Sequence, residues 1–140
     1  MTSLVKDETV SVRIPASEKK VLMASARQMG VGHGTLAAAD ITEGNRRRRF
    51  PAIEFRDGCP GRVAYLVASR WPVWLIVELV EEFKGDIAAA AAHMRKPAAL
   101  VKMVMDYAGA YPQEIEDCRM LANRRDFEAM RKIIPGLEQM

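Results

Sequence analysis

From residue 9 to residue 14 apolar and polar positions alternate: Val10, Val12 and Ile14 stand between Thr9, Ser11 and Arg13. Period-two alternation of β-branched residues predicts a strand with one apolar face, which Pro15 stops. The spacing then becomes helical. Val21, Leu22, Ser25, Ala26 and Met29 recur at the intervals of one helix face, with Ser17 placed to cap the start and Gly30 to end it. After Gly32-His33-Gly34, Thr35 predicts a second helix over 36–43, ended by Gly44-Asn45.

Residues 46–51 read as a basic linker between domains. Strand patterns over 53–56 and 62–67 flank Asp57-Gly58-Cys59-Pro60-Gly61, a run dense in turn residues, and together predict a hairpin. Pro72 opens a strongly apolar helix over 73–83. Asp86 starts an alanine-rich helix to residue 93. The turn Arg95-Lys96-Pro97 leads into a third helix over 98–108. Three short helices joined by tight turns have the shape of a helix-turn-helix unit. Pro112 permits a last helix over 113–134. The expected fold is therefore mainly α with a few short strands: a strand-helix-helix unit over 1–45, a hairpin and trihelical domain over 52–110, and a helical tail over 111–140.

Composition narrows this. Apolar residues make up 49% of the 140 and charged residues 28%, so a core can be buried and the chain is not compositionally disordered. No apolar run approaches the length of a membrane span. Met1 to Thr9 is polar and acidic, unlike a secretory signal. Cys59 and Cys118 lie far apart without metal-ligand spacing, which fits free thiols in a reducing cytoplasm. The net charge is +3, and basic and acidic residues nearly balance everywhere except at Arg46, Arg47, Arg48 and Arg49. A block of four arginines suits phosphate contact, and equally suits a solvated linker.

The stretch T-V-S-V-R-I-P-A-S-E-K-K-V-L-M-A-S-A-R-Q-M-G-V resembles the ribbon-helix-helix family of bacterial repressors and antitoxins. That resemblance implies a dimer in which the strands of two subunits pair, with the ribbon lying in the DNA major groove. A β-ribbon fits that groove, and Thr9, Ser11 and Arg13 would face the bases, Arg13 matching a guanine edge. Val10, Val12, Ile14, Leu22 and Leu36 would form the dimer core. The sequence departs from the family where a Ser or Thr usually caps the second helix over a phosphate. Gly32, His33 and Gly34 stand there, with Thr35 one step later.

Residues 53–107 resemble a family of small bacterial domains with a homeodomain-like trihelical fold, often encoded as VapB-type antitoxins beside PIN-domain toxins. The likeness rests on I-E-F-R-D-G, on S-R-W-P-V-W-L-I-V-E-L-V-E-E, and on Asp106, Tyr107 and Ala108 after L-V-K-M-V-M. Ala68 stands where the family usually has Gly. The resemblance implies that the third helix can approach DNA, with Arg95, Lys96 and Lys102 facing it. It also fits a purely structural scaffold with Trp71, Trp74, Leu75 and Leu79 as core or dimer surface.

In the tail, Phe127, Met130, Ile133, Ile134 and Leu137 form an apolar series on a charged background, as in a segment that docks in a partner's groove. The family likeness implies capture of a toxin, with Arg124, Arg125 or Arg131 entering its acidic site. A helix folded back on its own domain fits the same pattern. His33 and His93 have no ligand-spaced companions, and no P-loop, G-x-S-x-G or zinc motif occurs, so no cofactor and no enzymatic activity are expected. The expectation is an antitoxin-like, cytoplasmic, homodimeric autorepressor of operator DNA that neutralises a PIN-domain toxin. The alternative is a protein–protein or oligomerisation module with no DNA role.

Overall fold

The computed structural model describes residues 7–58 and 61–133, and it is mainly helical with one two-stranded hairpin. The chain divides after Thr42 into two compact units.

In the first unit, helix α1 spans Ala16–Met29. It starts one residue before the anticipated Ser17 cap. Pro15 holds the cap position without a side-chain bond, and its carbonyl accepts from the N–H groups of Glu18 and Lys19. Gly30 ends the helix in the left-handed conformation (φ 72°), and Val31 N–H closes on the Ala26 carbonyl at 3.0 Å. Glycine adopts that conformation without the clash a Cβ brings.

Helix α2 spans His33–Arg49. It begins before Thr35 and runs through Gly44-Asn45, where a stop was expected. The four arginines expected as a linker are its last turn. Glycine inside a helix costs about 1 kcal/mol, and here tertiary bonds on either side of it offset that. Arg62 donates to Glu43 at 2.9 and 3.0 Å, and Arg46 donates to Glu114 at 2.6 Å.

In the second unit, β1 (Ile53–Asp57) pairs antiparallel with β2 (Arg62–Leu66), with Ile53 opposite Leu66 and Asp57 opposite Arg62. Gly58 and Gly61 bond each other's backbone across the turn. A Cβ on Gly58 would stand 3.0 Å from Val63 Cγ2, so any larger residue there would need the Val63 side chain to give by a few tenths of an ångström. Four helices follow: α3 (Val73–Glu82), α4 (Ile87–Met94), α5 (Ala98–Ala110) and α6 (Pro112–Ile133). Asp86 caps α4 by accepting from Ala89 N–H at 3.0 Å. The hairpin lies on α3, and α3, α4 and α5 pack on one another as the trihelical pattern implied. Helix α6 then covers α3 and α5. Ile53, Leu66, Val73, Ile76, Val101, Val104 and Tyr107 are fully buried between them.

The segment expected as a strand differs. Residues 7–15 form no strand, and residues 7–14 make no backbone hydrogen bond among the described residues. A strand exists only by pairing, and the only ladder among the described residues is β1–β2.

Candidate nucleic-acid interface

Thr9, Ser11 and Arg13 are exposed, as a base-reading role requires. The residues between them are exposed too: Val10 at 72%, Val12 at 68% and Ile14 at 46%. The expected dimer core is thus open in the single chain. Val12 and Ile14 instead line a groove of about 750 Å³ with Leu22, Ala37 and Ile41, rimmed by Arg13, Lys19, Glu18 and Asp40.

The arginine block splits into two kinds. Arg46 is a structural residue. Its guanidinium donates to the Tyr107 hydroxyl at 3.1 Å and to Glu114 at 2.6 Å, and lies over the Tyr111 ring at 3.9 Å. The Tyr107 hydroxyl donates in turn to the other Glu114 oxygen. Burial alone would lower the Arg46 pKa. Its bond to Glu114, followed by the charge of Tyr107, outweighs that and holds it above its ordinary value. Arg49 donates to the Tyr111 hydroxyl at 3.1 Å. Arg47 and Arg48 are exposed, and their side chains make no hydrogen bond or ion pair among the described residues. Two of the four are therefore free to meet phosphate, and two hold the fold together.

In the trihelical domain, Arg95 is exposed and ends α4 in the left-handed conformation (φ 58°). Lys96 is half-buried. Lys102 pairs with Asp106 one turn along α5 at 2.6 Å, which neutralises the one cation of that helix. The exposed face of α5 otherwise offers Ala98, Ala99, Gly109 and Ala110, side chains with no hydrogen-bonding reach toward a base edge.

Helix α6 places Arg124, Arg125 and Arg131 on an exposed surface. Arg125 borders a small cavity of about 180 Å³ with Tyr65, Trp74 and Cys118. Phe127, Met130 and Ile133 lie on α6, but their side chains fall outside the described set, as do Ile134 and Leu137 entirely. The root of the helix is built into the domain. Ile115 and Cys118 are buried, and Arg119 donates to Glu81 at 2.8 and 3.1 Å and to Glu78 at 3.4 Å.

His33 opens α2, and the His93 ring lies tilted against Phe83 with centroids 5.6 Å apart. Among the described residues no cluster of His, Cys, Asp or Glu could hold a metal ion, and no helix is long and apolar enough to cross a membrane.

The Tyr107, Tyr111 and Glu114 cluster was not anticipated as a partner of the arginines. The spacing of these residues at four and seven positions was visible in the sequence, but the arginine they bind lies 61 and 68 positions away. No protein-family model, curated protein or solved structure matches the chain.

Proposed function

We propose that this protein is a homodimeric, antitoxin-like DNA-binding autorepressor that acts in the cytoplasm. Residues 9–14 of two copies pair as a ribbon, which carries Thr9, Ser11 and Arg13 into the major groove of operator DNA. One observation carries this reading. A strand-length alternating segment exposes both its polar and its apolar face and pairs with nothing among the described residues. A second copy offers the same edge, so a two-fold ribbon satisfies both backbones and buries Val10, Val12 and Ile14 together. Full burial of each such side chain is worth about 1.5–3 kcal/mol. The tail, anchored at Cys118 and Arg119, presents Arg124, Arg125 and Arg131 to a PIN-domain toxin.

A second reading has a specific observation in its favour. Arg46, Arg49 and Lys102 are engaged inside the chain, which removes three of the cations expected at DNA. On that reading the N-terminal unit only oligomerises, and the tail binds a protein.

Fluorescence anisotropy against DNA from immediately upstream of the gene, titrated over salt with random DNA as competitor, separates the two. The repressor reading expects specific binding that weakens steeply with salt, and expects Arg13→Ala to cost about 1–3 kcal/mol on the preferred site. Binding no stronger than to random DNA would overturn it. Removing residues 124–140 keeps Cys118 and Arg119 and takes away Arg124, Arg125 and Arg131. If the tail reading holds, this abolishes toxin capture and spares DNA binding.

A further inference from the structure

Helix α1 keeps its charges apart. Lys19, Lys20 and Arg27 line one shallow groove of about 410 Å³ with Ala16, Met23 and Ala24, and no carboxylate borders it. The groove on the Ile14 side mixes Arg13 and Lys19 with Glu18 and Asp40. Helical spacing explains the separation: positions 16, 20, 23 and 27 share a face, while Leu22 and the buried Ala26 point elsewhere.

The side chains of Lys19, Lys20 and Arg27 make no hydrogen bond or ion pair among the described residues. The second unit pairs five of its cations, while Arg47 and Arg48 stay unpaired among the described residues. Arg46, Arg56, Arg62, Lys102 and Arg119 each sit against a carboxylate. Lys20 and Arg27 share one helix face that no carboxylate borders, and Lys19 stands at its edge, between this groove and the mixed one. Like charges on one face repel one another, and an external polyanion relieves this.

We propose that Lys19, Lys20 and Arg27 form a phosphate-contacting face for the DNA backbone beside the ribbon. Sequence is then read at Thr9, Ser11 and Arg13, and charge is neutralised on α1. This assignment rests on the repressor reading above. It also locates the non-specific part of the affinity away from the arginine block, half of which is committed to the fold.

The test compares salt dependence in two full-length double variants of equal net charge, Lys20→Gln/Arg27→Gln and Lys84→Gln/Lys132→Gln. All four positions are exposed, and helical content by circular dichroism confirms that each variant folds. Each phosphate contact contributes about 0.9 to the slope of log affinity against log salt. Two residues in each of two copies should therefore lower the slope of the first variant by about 3–4, equally on operator and random DNA. The control variant should keep the unsubstituted slope.

An unchanged slope in the first variant would overturn the assignment alone. So would a loss confined to operator DNA, because phosphate contact is blind to sequence. Loss of binding to anionic phospholipid vesicles with DNA binding intact would overturn it in favour of a lipid surface. Unsubstituted protein that binds no DNA in a salt-sensitive way would overturn the repressor reading, and this assignment with it.

Discussion

Between residues 7 and 42 the one buried side chain is Ala26, whereas the second unit encloses a core from Phe50 and Ala52 through Tyr107 to Ile115. The second unit also pairs its charges: Arg62 with Glu43 and Asp57, Arg119 with Glu78 and Glu81, Arg46 with Glu114. The first unit makes no ion pair among the described residues and exposes Val10, Val12, Ile14, Val21, Met29 and Ile41. One region is complete as a single chain. The other leaves apolar sides of its amphipathic elements exposed among the described residues, which the proposed dimer would cover. Stability should therefore reside in the second unit, and association in the first.

The largest effect that sharpens this contrast is at Tyr107. Its side chain is fully buried, edge-on to Phe50 at 5.3 Å, and hydrogen-bonded to both Arg46 and Glu114. Tyr107→Ala should cost about 3–5 kcal/mol, as truncating a buried aromatic does, read as the urea midpoint of the second unit. A loss below about 1 kcal/mol would mean the cluster is not part of the core.

Arg46→Ala comes next. It leaves Glu114 and the Tyr107 hydroxyl without their cationic partner and should cost about 2 kcal/mol. Arg47→Ala, one residue along and exposed, should stay within about 0.5 kcal/mol. Equal losses at the two positions would erase the distinction drawn within the arginine block.

The smallest effect is a pH dependence. Burial raises the Tyr107 phenol well above its usual value of 10.0, with Glu114 adding through its bond and charge. Burial likewise raises the Cys118 thiol above 9.0, with Glu114 and then Asp117 adding. In both groups the folded state favours the neutral form. Their stabilisation is therefore complete below the ordinary values and is lost as pH climbs through the raised ones. Stability of the second unit should fall from about pH 9 upward, and Tyr107→Phe should flatten the part above pH 10. A midpoint that stays level into that range would show that neither group is held as described.

Much of this architecture was legible from local chemistry. Gly30 stops α1, Asp86 caps α4, and the prolines at 72, 97 and 112 precede α3, mark the start of α5 and open α6. Each of these effects acts within a few residues, which is the range a linear pattern can report. The path of α2 was not legible. Gly44-Asn45 is a reasonable stop until Glu43 meets Arg62 and Arg46 meets Glu114, and no local rule encodes those pairings. The same blindness made Arg46 and Arg49 look free. The alternation at residues 9–14 was read from the sequence, but a strand also needs a paired neighbour, and none of the described residues supplies one.

The proposal that the first unit pairs with a second copy is most directly tested by sedimentation equilibrium on the full chain and on Val12→Asp. The account predicts a particle of twice the 15.6 kDa chain mass for the unsubstituted protein. It predicts a single chain for the variant, with the urea midpoint of the second unit unchanged. An unsubstituted monomer across the micromolar range, or a Val12→Asp dimer as tight as the original, would contradict it.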